Sequence, residues 1–262
     1  MDAGPIRSTA RSLRLGAERA RFELWAKRLD ARLRRAGGRL ALDAPHGAHF
    51  HELPRVEVLP YGGGDGGTFT LRLGRHVQLG RGLILEIWAA AQTTLELGDE
   101  VTFLAGTRAR VWGGSIRIGP KARVRDYCFL DANGELALGA GVQLGSQVAL
   151  HAAGSVQIAD NVTIGERTSF FDSDHRHDGS DVASYEQPLA ISPVIVGTNT
   201  FLGANAFLLR GVRIGANAMV AASALVRPGE YPGGYLYAGA PARSIRPLGA
   251  QLGARAGRQR DA

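Results

Sequence analysis

A six-residue repeat runs through most of this chain. Each repeat has an aliphatic residue, usually Gly or Ala next, two polar residues and a small residue, and it occurs at Leu138–Val142, Leu144–Val148, Ile158–Val162, Ile164–Thr168, Val196–Thr200, Leu202–Ala206 and Ile214–Ala218. A period of six fits neither an amphipathic helix nor a half-buried strand. It predicts a three-sided solenoid in which each face takes six residues and points one aliphatic side chain inward, as in a hexapeptide β-helix.

The spacing of equivalent repeats predicts where the solenoid departs from a regular prism. Equivalent turns are spaced 18, 21, 20 and 20 residues apart, and they start at Leu79, Leu97, Ile118, Leu138 and Ile158. A bare turn needs 18 residues, so the longer turns must bulge at one corner. The segments with suitable turn chemistry are Trp112–Ser115, Asp131–Gly134 and His151–Gly154. Six or seven coils at the spacing of parallel strands, about 4.8 Å, would make a prism roughly 30 Å tall.

The ends of the chain differ from this repeat, and the sequence predicts three regions. Residues 1–66 are predicted as a basic helix, over 8–36, followed by a connector rich in Pro and Gly. Residues 67–248 are predicted as the β-helix domain, closed by a C-terminal cap from Tyr235 to Leu248, because open solenoid ends need caps. Residues 249–262 are predicted as a disordered tail.

The positive charge is confined to the N-terminus. Residues 1–40 hold 11 Arg or Lys and four Asp or Glu, whereas the remaining 222 residues carry 20 of each sign. No basic stripe with interleaved aromatic residues runs along the repeat, which argues against nucleic-acid binding. The basic helix is therefore interpreted either as a cap with a solvated face or as a contact for an anionic carrier or a membrane surface.

Composition and cysteine content limit the compartment. The sequence has no run of about 18 apolar residues and no apolar signal core after its first arginines, so neither a membrane span nor a secretory signal is predicted. Cys128 is the single cysteine and cannot form an internal disulfide, which fits a reducing compartment. We predict a cytoplasmic protein.

One long insertion interrupts the repeat. Phe170 and Val196 are 26 residues apart where the repeat requires six, so the loop 171–193 must leave the prism. It contains four side chains that can exchange protons or bind metal, namely Asp172, Asp174, His175 and His177. Histidine titrates near neutrality and can take a proton from a hydroxyl or amine that attacks a carbonyl. The loop is predicted either to carry function or to be a solvated polar loop.

In these motifs the chain resembles the hexapeptide-repeat acyltransferases, in particular the maltose, galactoside and polysaccharide O-acetyltransferases. The resemblance covers about residues 70–247 and is most specific at Ser155–His175, Pro193–Gly197, Phe201–Gly203 and Gly239–Arg246. It implies an all-β fold, a left-handed parallel β-helix, despite the right-handed rule for most crossovers. It also implies a homotrimer with active sites between neighbouring prisms, and acetyl-CoA or another acyl-CoA as co-substrate without a metal.

The resemblance also implies roles for individual residues. His175 matches the catalytic base that deprotonates the acceptor, and Asp174 or Asp172 would orient its imidazole. Phe201 stands where many relatives have Trp, and Arg227-Pro228 stands where they have Thr-Lys. The positions implied to bind coenzyme A are Phe201, Gly203, Ala204, Ala222, Arg243 and Arg246. Late in the loop, Tyr185, Glu186 and Gln187 are candidates for contact with the acceptor.

These observations predict a CoA-dependent O-acyltransferase that acts on a sugar or glycan hydroxyl by direct attack, with amine acceptors left open. Two alternatives remain. One is a trimeric zinc lyase of the γ-carbonic-anhydrase type, for which the candidate ligands are His151, His175 and His177. The other is a β-helix scaffold without catalytic activity.

Overall fold

A computed structural model describes residues 4–59 and 66–249. Within the helix, side chains are described from residue 16 onward. Residues 60–65 of the predicted connector and residues 250–262 of the predicted disordered tail lie outside the described residues.

The first half of the chain contains one helix and fifteen strands. The helix α1 spans Gly4–Arg35, against a predicted 8–36. The strands are β1 Arg39–Asp43, β2 His49–Phe50, β3 Arg55–Leu59, β4 Thr68–Leu73, β5 Gln78–Leu79, β6 Ile84–Trp88, β7 Thr93–Leu97, β8 Thr102–Phe103, β9 Arg108–Val111, β10 Ser115–Ile118, β11 Arg123–Val124, β12 Phe129–Ala132, β13 Glu135–Leu138, β14 Gln143–Leu144 and β15 Ala149–Ala152.

The second half continues in strands, with one 3₁₀ turn at Ser184–Glu186. The strands are β16 Ser155–Ile158, β17 Thr163–Ile164, β18 Ser169–Phe171, β19 Ser173–His175, β20 Leu189–Ile191, β21 Val194–Val196, β22 Phe201–Leu202, β23 Phe207–Leu208, β24 Val212–Ile214, β25 Met219–Val220, β26 Leu225–Val226, β27 Gly229–Tyr231, β28 Tyr235–Ala238 and β29 Arg243–Pro247.

The strands stack into three parallel sheets that form the faces of a solenoid. The first sheet runs β1-β4-β7-β10-β13-β16-β21-β24-β27, the second runs β2-β5-β8-β11-β14-β17-β22-β25-β28-β29, and the third runs β3-β6-β9-β12-β15-β18-β23-β26. Successive strands of each sheet are about one coil apart in sequence, so the described chain winds through about eight turns. The predicted left-handed β-helix is confirmed.

Inward aliphatic side chains fill the solenoid, as the repeat predicts. In the second sheet a column of such residues is almost completely buried, and it consists of Val124, Leu144, Ile164, Leu202 and Val220. Small residues at the corners let the coils stack. A Cβ on Gly203, for example, would lie 2.3 Å from the Ala222 nitrogen of the next coil, closer than any side chain tolerates. The Gly in each repeat is therefore required by packing.

The N-terminal region corrects part of the predicted organisation. Residues 39–59, predicted within the helix and connector region, form the first coil instead, because β1 pairs in parallel with β4 and β3 with β6. The helix packs on this coil through a buried face of Phe22, Trp25, Ala26, Leu29 and Leu33. The Phe22 ring stacks on the Phe50 ring at 5.9 Å between centroids. The helix therefore covers the solenoid end with its apolar face.

The C-terminal end is closed by an antiparallel pair. Strand β29 turns back and pairs with β28, the last parallel strand of the second sheet. Tyr237 is buried there, and its hydroxyl donates a 2.7 Å hydrogen bond to the Pro232 carbonyl. The predicted cap from Tyr235 to Leu248 is confirmed. Across the described residues, none of the helical structure has the length and apolar character needed to cross a membrane.

Candidate functional site

The long loop leaves the solenoid at one corner, between the third and first sheets. It lies between β18 and β21, and its two ends form the antiparallel ribbon β19–β20, with Asp174 opposite Ala190 and His175 opposite Leu189. In the coil before, the same corner is the Ala153-Gly154 bend between β15 and β16. In the coil after, it is the short turn between β23 and β24. The bulged corners predicted at Trp112–Ser115 and Asp131–Gly134 also lie here.

Asp172 anchors the root of the loop. Its carboxylate is fully buried and accepts three backbone hydrogen bonds, from the nitrogens of Ala153 at 2.8 Å, Gly154 at 2.7 Å and Ser155 at 2.7 Å. Its backbone carbonyl accepts a fourth from the Ser192 nitrogen at 2.9 Å. Both carboxylate oxygens are thus engaged by the preceding corner, and Asp172 makes no hydrogen bond to His175 among the described residues. The predicted orienting role for Asp172 is not what the geometry provides.

Gly154 shows how closely the ribbon packs on this corner. A Cβ at Gly154 would lie 2.6 Å from Ile191 Cγ2 on β20 and 3.5 Å from Asp172 Oδ2. We expect Gly154→Ala to displace β20 and to destabilise the protein by about 1–3 kcal/mol, the usual cost of overpacking. Urea unfolding of the variant would measure this loss. Gly179→Ala in the exposed tip of the loop, where nothing lies within 4 Å, serves as a comparison for backbone effects, and an equal loss in both would contradict the packing argument.

His175 stands at the end of β19 with its imidazole exposed to solvent. Its Nδ1 lies 3.5 Å from the Gln187 carbonyl oxygen. A proton on Nδ1 would point toward this acceptor and leave the Nε2 lone pair facing outward, the tautomer required of a general base. The structure thus supplies a backbone carbonyl, rather than a carboxylate, as the group beside this ring.

Asp174 is turned away from His175 and pairs with a residue that the sequence did not indicate. Its Oδ2 accepts a 2.7 Å hydrogen bond from Arg210 Nε. Arg210 lies in the turn between β23 and β24, one coil after the loop. Because neighbouring residues of a strand point to opposite sides, the Asp174 carboxylate cannot share the side of the ribbon that His175 occupies. Neither predicted carboxylate contacts the imidazole in the described structure.

Gln187 holds the interior of the loop together. The side chain is buried, its Oε1 accepts from the Asp178 nitrogen at 3.1 Å, and its Nε2 donates to the Val182 carbonyl at 3.0 Å. These contacts occupy the amide that was predicted to meet an acceptor. Tyr185 and Glu186, in contrast, are exposed in the adjacent 3₁₀ turn. Hydrogen bonds from Ser180 hold the pKa of Asp178 below its usual value, so the loop tip carries a carboxylate at neutral pH.

The three histidines of the zinc alternative have other partners. His151 stacks on Phe171 with 4.9 Å between ring centroids and lies 3.4 Å from Asp131 Oδ2 through its Nδ1. His177 Nδ1 accepts from the Gly179 nitrogen at 3.3 Å. In the part of the chain that the structure describes, no three His, Cys, Asp or Glu side chains are arranged to hold a metal ion.

The second sheet carries the predicted coenzyme-binding positions after the loop. Phe201 is 43% exposed and lies between Thr163 and Met219 in register. Gly203, Ala204 and Ala222 follow at the next corner, where their small size is already required by coil stacking. The outward Phe201 and Met219 side chains therefore form an apolar strip beside a corner with little side-chain bulk, a surface that suits a long flexible ligand arm.

Arg243 and Arg246 lie on β29 in the C-terminal cap. Arg243 Nη1 donates to the Ala242 carbonyl at 3.1 Å, and Arg246 Nη1 donates to the Pro247 carbonyl at 3.2 Å. Neither guanidinium pairs with a carboxylate of the described residues. Arg243 also lines an open groove of about 560 Å³ together with Tyr231, Tyr235 and Ser244. Their charges are available to an anionic ligand such as a phosphate.

Cys128 is excluded as a nucleophile. Its thiol is buried in the solenoid and donates to the Gly145 carbonyl, with 3.2 Å between Sγ and the oxygen. Burial raises its pKa to about 11. The reactive thiolate is therefore scarce at neutral pH, which agrees with a mechanism that has no acyl-enzyme at this residue.

Comparison with known proteins gives matches centred on the repeat. The family described as hexapeptide repeat of succinyl-transferase matches residues 193–226. A probable acetyltransferase from Mycobacterium tuberculosis is 30% identical over 134 residues, which are 51% of this chain and 43% of that protein. A 2,3,4,5-tetrahydropyridine-2,6-dicarboxylate N-acetyltransferase from Staphylococcus aureus is 43% identical over 68 residues, which are 26% of this chain and 28% of that protein. The chain thus spans less than half the length of these curated relatives.

One solved structure with a similar chain is the hexapeptide-repeat-containing acetyltransferase of Vibrio cholerae complexed with acetyl coenzyme A. It is 25% identical, has a TM-score of 0.41, and the match covers 56% of this chain and 70% of that one. The three-sided coils and the matched repeat together make this chain a hexapeptide-repeat protein that is similar to acetyltransferases.

Proposed function

We propose that this protein is an acyltransferase that moves an acetyl group from acetyl-CoA to a hydroxyl of a sugar or glycan acceptor. The observation that carries the proposal is the placement of His175. The only long interruption of the repeat in residues 66–249 forms a ribbon anchored by Asp172, and this ribbon presents an exposed imidazole beside a backbone carbonyl. A spacer or scaffold gains nothing from such an interruption. The similarity to acetyltransferases adds the acyl donor.

The proposed reaction is a direct transfer. The outward nitrogen of His175 takes the proton of the acceptor hydroxyl as its oxygen attacks the thioester carbonyl. The tetrahedral intermediate then releases the coenzyme A thiolate, which is protonated as it leaves. Phe201 and the small corner residues Gly203, Ala204 and Ala222 would line the pantetheine arm, while Arg243 and Arg246 would meet the phosphates.

The experiment that tests this function is an acceptor screen with acetyl-CoA. We expect release of free coenzyme A that depends on a sugar or glycan acceptor, with the acetylated acceptor identified by mass spectrometry. Ester products, which mild base hydrolyses, support the hydroxyl acceptor. Amide products, which resist mild base, would replace it with an amine. No transfer and no binding of acetyl-CoA would reject the proposal.

We further propose that the protein is a cytoplasmic homotrimer. The described surface exposes large apolar side chains in the coils after the loop, among them Phe201, Phe207 and Met219, and covering such residues is a common reason for association. Light scattering coupled to size exclusion should give about three times the chain mass of 27.8 kDa. The mass of a single chain would contradict this proposal and leave the active site to one subunit.

A further inference from the structure

We propose that Arg210 is a positioning residue for His175, acting through Asp174. This inference rests on the proposed function and adds to it a residue outside the loop. The Arg210 Nε–Asp174 Oδ2 hydrogen bond, 2.7 Å long, joins the strand that carries His175 to the corner of the following coil. No other contact between the Arg210 side chain and the loop is needed for the argument.

The ribbon is held from two sides by two different devices. On one side the preceding corner, Ala153 to Ser155, donates three backbone hydrogen bonds to Asp172. On the other side the following corner reaches the ribbon through Arg210 and through the Gly211 nitrogen, which donates to the Ser192 carbonyl at 3.2 Å. Asp172 fixes where the loop leaves the solenoid. Arg210 fixes β19 two residues further out, next to the imidazole itself.

The pair is better suited to positioning than to stability. The side chains of Arg210 and Asp174 are 35% and 50% exposed, and ion pairs this exposed contribute little to the free energy of unfolding. A short strand with one long 3.5 Å contact at His175, however, depends on its neighbours for the direction of the ring. Small displacements of a catalytic group are costly to the rate.

We expect Arg210→Ala to lower kcat by about 10- to 100-fold and to change the KM for acetyl-CoA by about twofold or less. The melting temperature should stay near that of the wild type. Arg210→Lys keeps a charged donor and should recover most of the loss, whereas Asp174→Ala should reproduce the effect of Arg210→Ala. In a His175→Ala background Arg210→Ala should lower kcat no further, because Arg210 acts through the missing ring.

The chain offers a matched control one strand away. Arg213 is also an exposed arginine, on β24, and it pairs with Glu230 at 3.6 Å on the first sheet, away from the loop. Arg213→Ala should leave kcat unchanged. An equal loss of kcat in both variants, or a wild-type kcat in Arg210→Ala, would overturn the inference.

Hydrogen exchange separates this inference from the proposed function. The amides of Ser173–His175 and Leu189–Ile191 should exchange faster in Arg210→Ala than in the wild type and in Arg213→Ala. This result would support the positioning role even if the acceptor screen found no acetyl transfer, a failure that belongs to the proposed function. Unchanged exchange in Arg210→Ala would overturn the inference whether or not the protein is active.

Discussion

Replacing His175 with alanine should lower kcat for acetyl transfer by about 10²- to 10⁴-fold, the usual contribution of a general base. The acceptor hydroxyl would then have to lose its proton to water. The exposed ring makes no contact on which the fold depends, apart from the 3.5 Å approach of Nδ1 to the Gln187 carbonyl. The melting temperature and acetyl-CoA affinity should therefore remain close to those of the wild type.

His177 provides the control for this prediction. It lies two residues away in the same loop, is also exposed, and contacts only the backbone nitrogen of Gly179 within the described loop. His177→Ala should keep kcat within about threefold of the wild type, well short of the general-base effect. If His177→Ala loses as much activity as His175→Ala, the base has been assigned to the wrong ring.

Asp172→Ala should have the largest effect on the structure of the loop. The change removes the acceptor of three backbone hydrogen bonds and leaves the nitrogens of Ala153, Gly154 and Ser155 without a partner in a buried corner. Each unsatisfied buried donor costs about 1–3 kcal/mol, so we expect a loss of at least about 3 kcal/mol in the free energy of unfolding. Urea unfolding would measure it.

The same variant tests whether Asp172 acts by anchoring or by orienting the base. Anchoring predicts that Asp172→Asn, which keeps an acceptor oxygen of the same shape, is intermediate in stability, and that Asp174→Asn is close to the wild type. Amide exchange at residues 153–155 should rise in Asp172→Ala. A fully stable Asp172→Ala with reduced kcat would contradict the anchoring role and restore the orienting one.

The solenoid could be predicted from the sequence because its packing is periodic. Each inward aliphatic residue, such as Ile158 or Leu202, fills the same position in the core, so the repeat and the fold are two descriptions of one constraint. The first coil was missed for the same reason. Residues 39–59 keep the coil geometry, yet Pro45 and Pro54 interrupt the repeat that would have revealed it.

The site could be predicted only in part. The position of His175 in an insertion follows from the interrupted repeat, since any insertion must leave the prism at a corner. The partners of Asp172 and Asp174 do not follow, because they are set by the stacking of coils. Arg210 is 36 residues from Asp174 in sequence, and the backbone nitrogens that bind Asp172 have no side-chain signature. Burial of Gln187 likewise depends on how the loop closes on itself.

A structure of the protein with coenzyme A bound would test the central claim most directly. The proposal predicts that the coenzyme lies along the coils after the loop, near Phe201, with its sulfur close enough to His175 for a single acceptor oxygen to contact both. That oxygen would lie within about 3 Å of the outward ring nitrogen. A coenzyme whose sulfur lies beyond such reach of every His175 in the assembly would contradict the account.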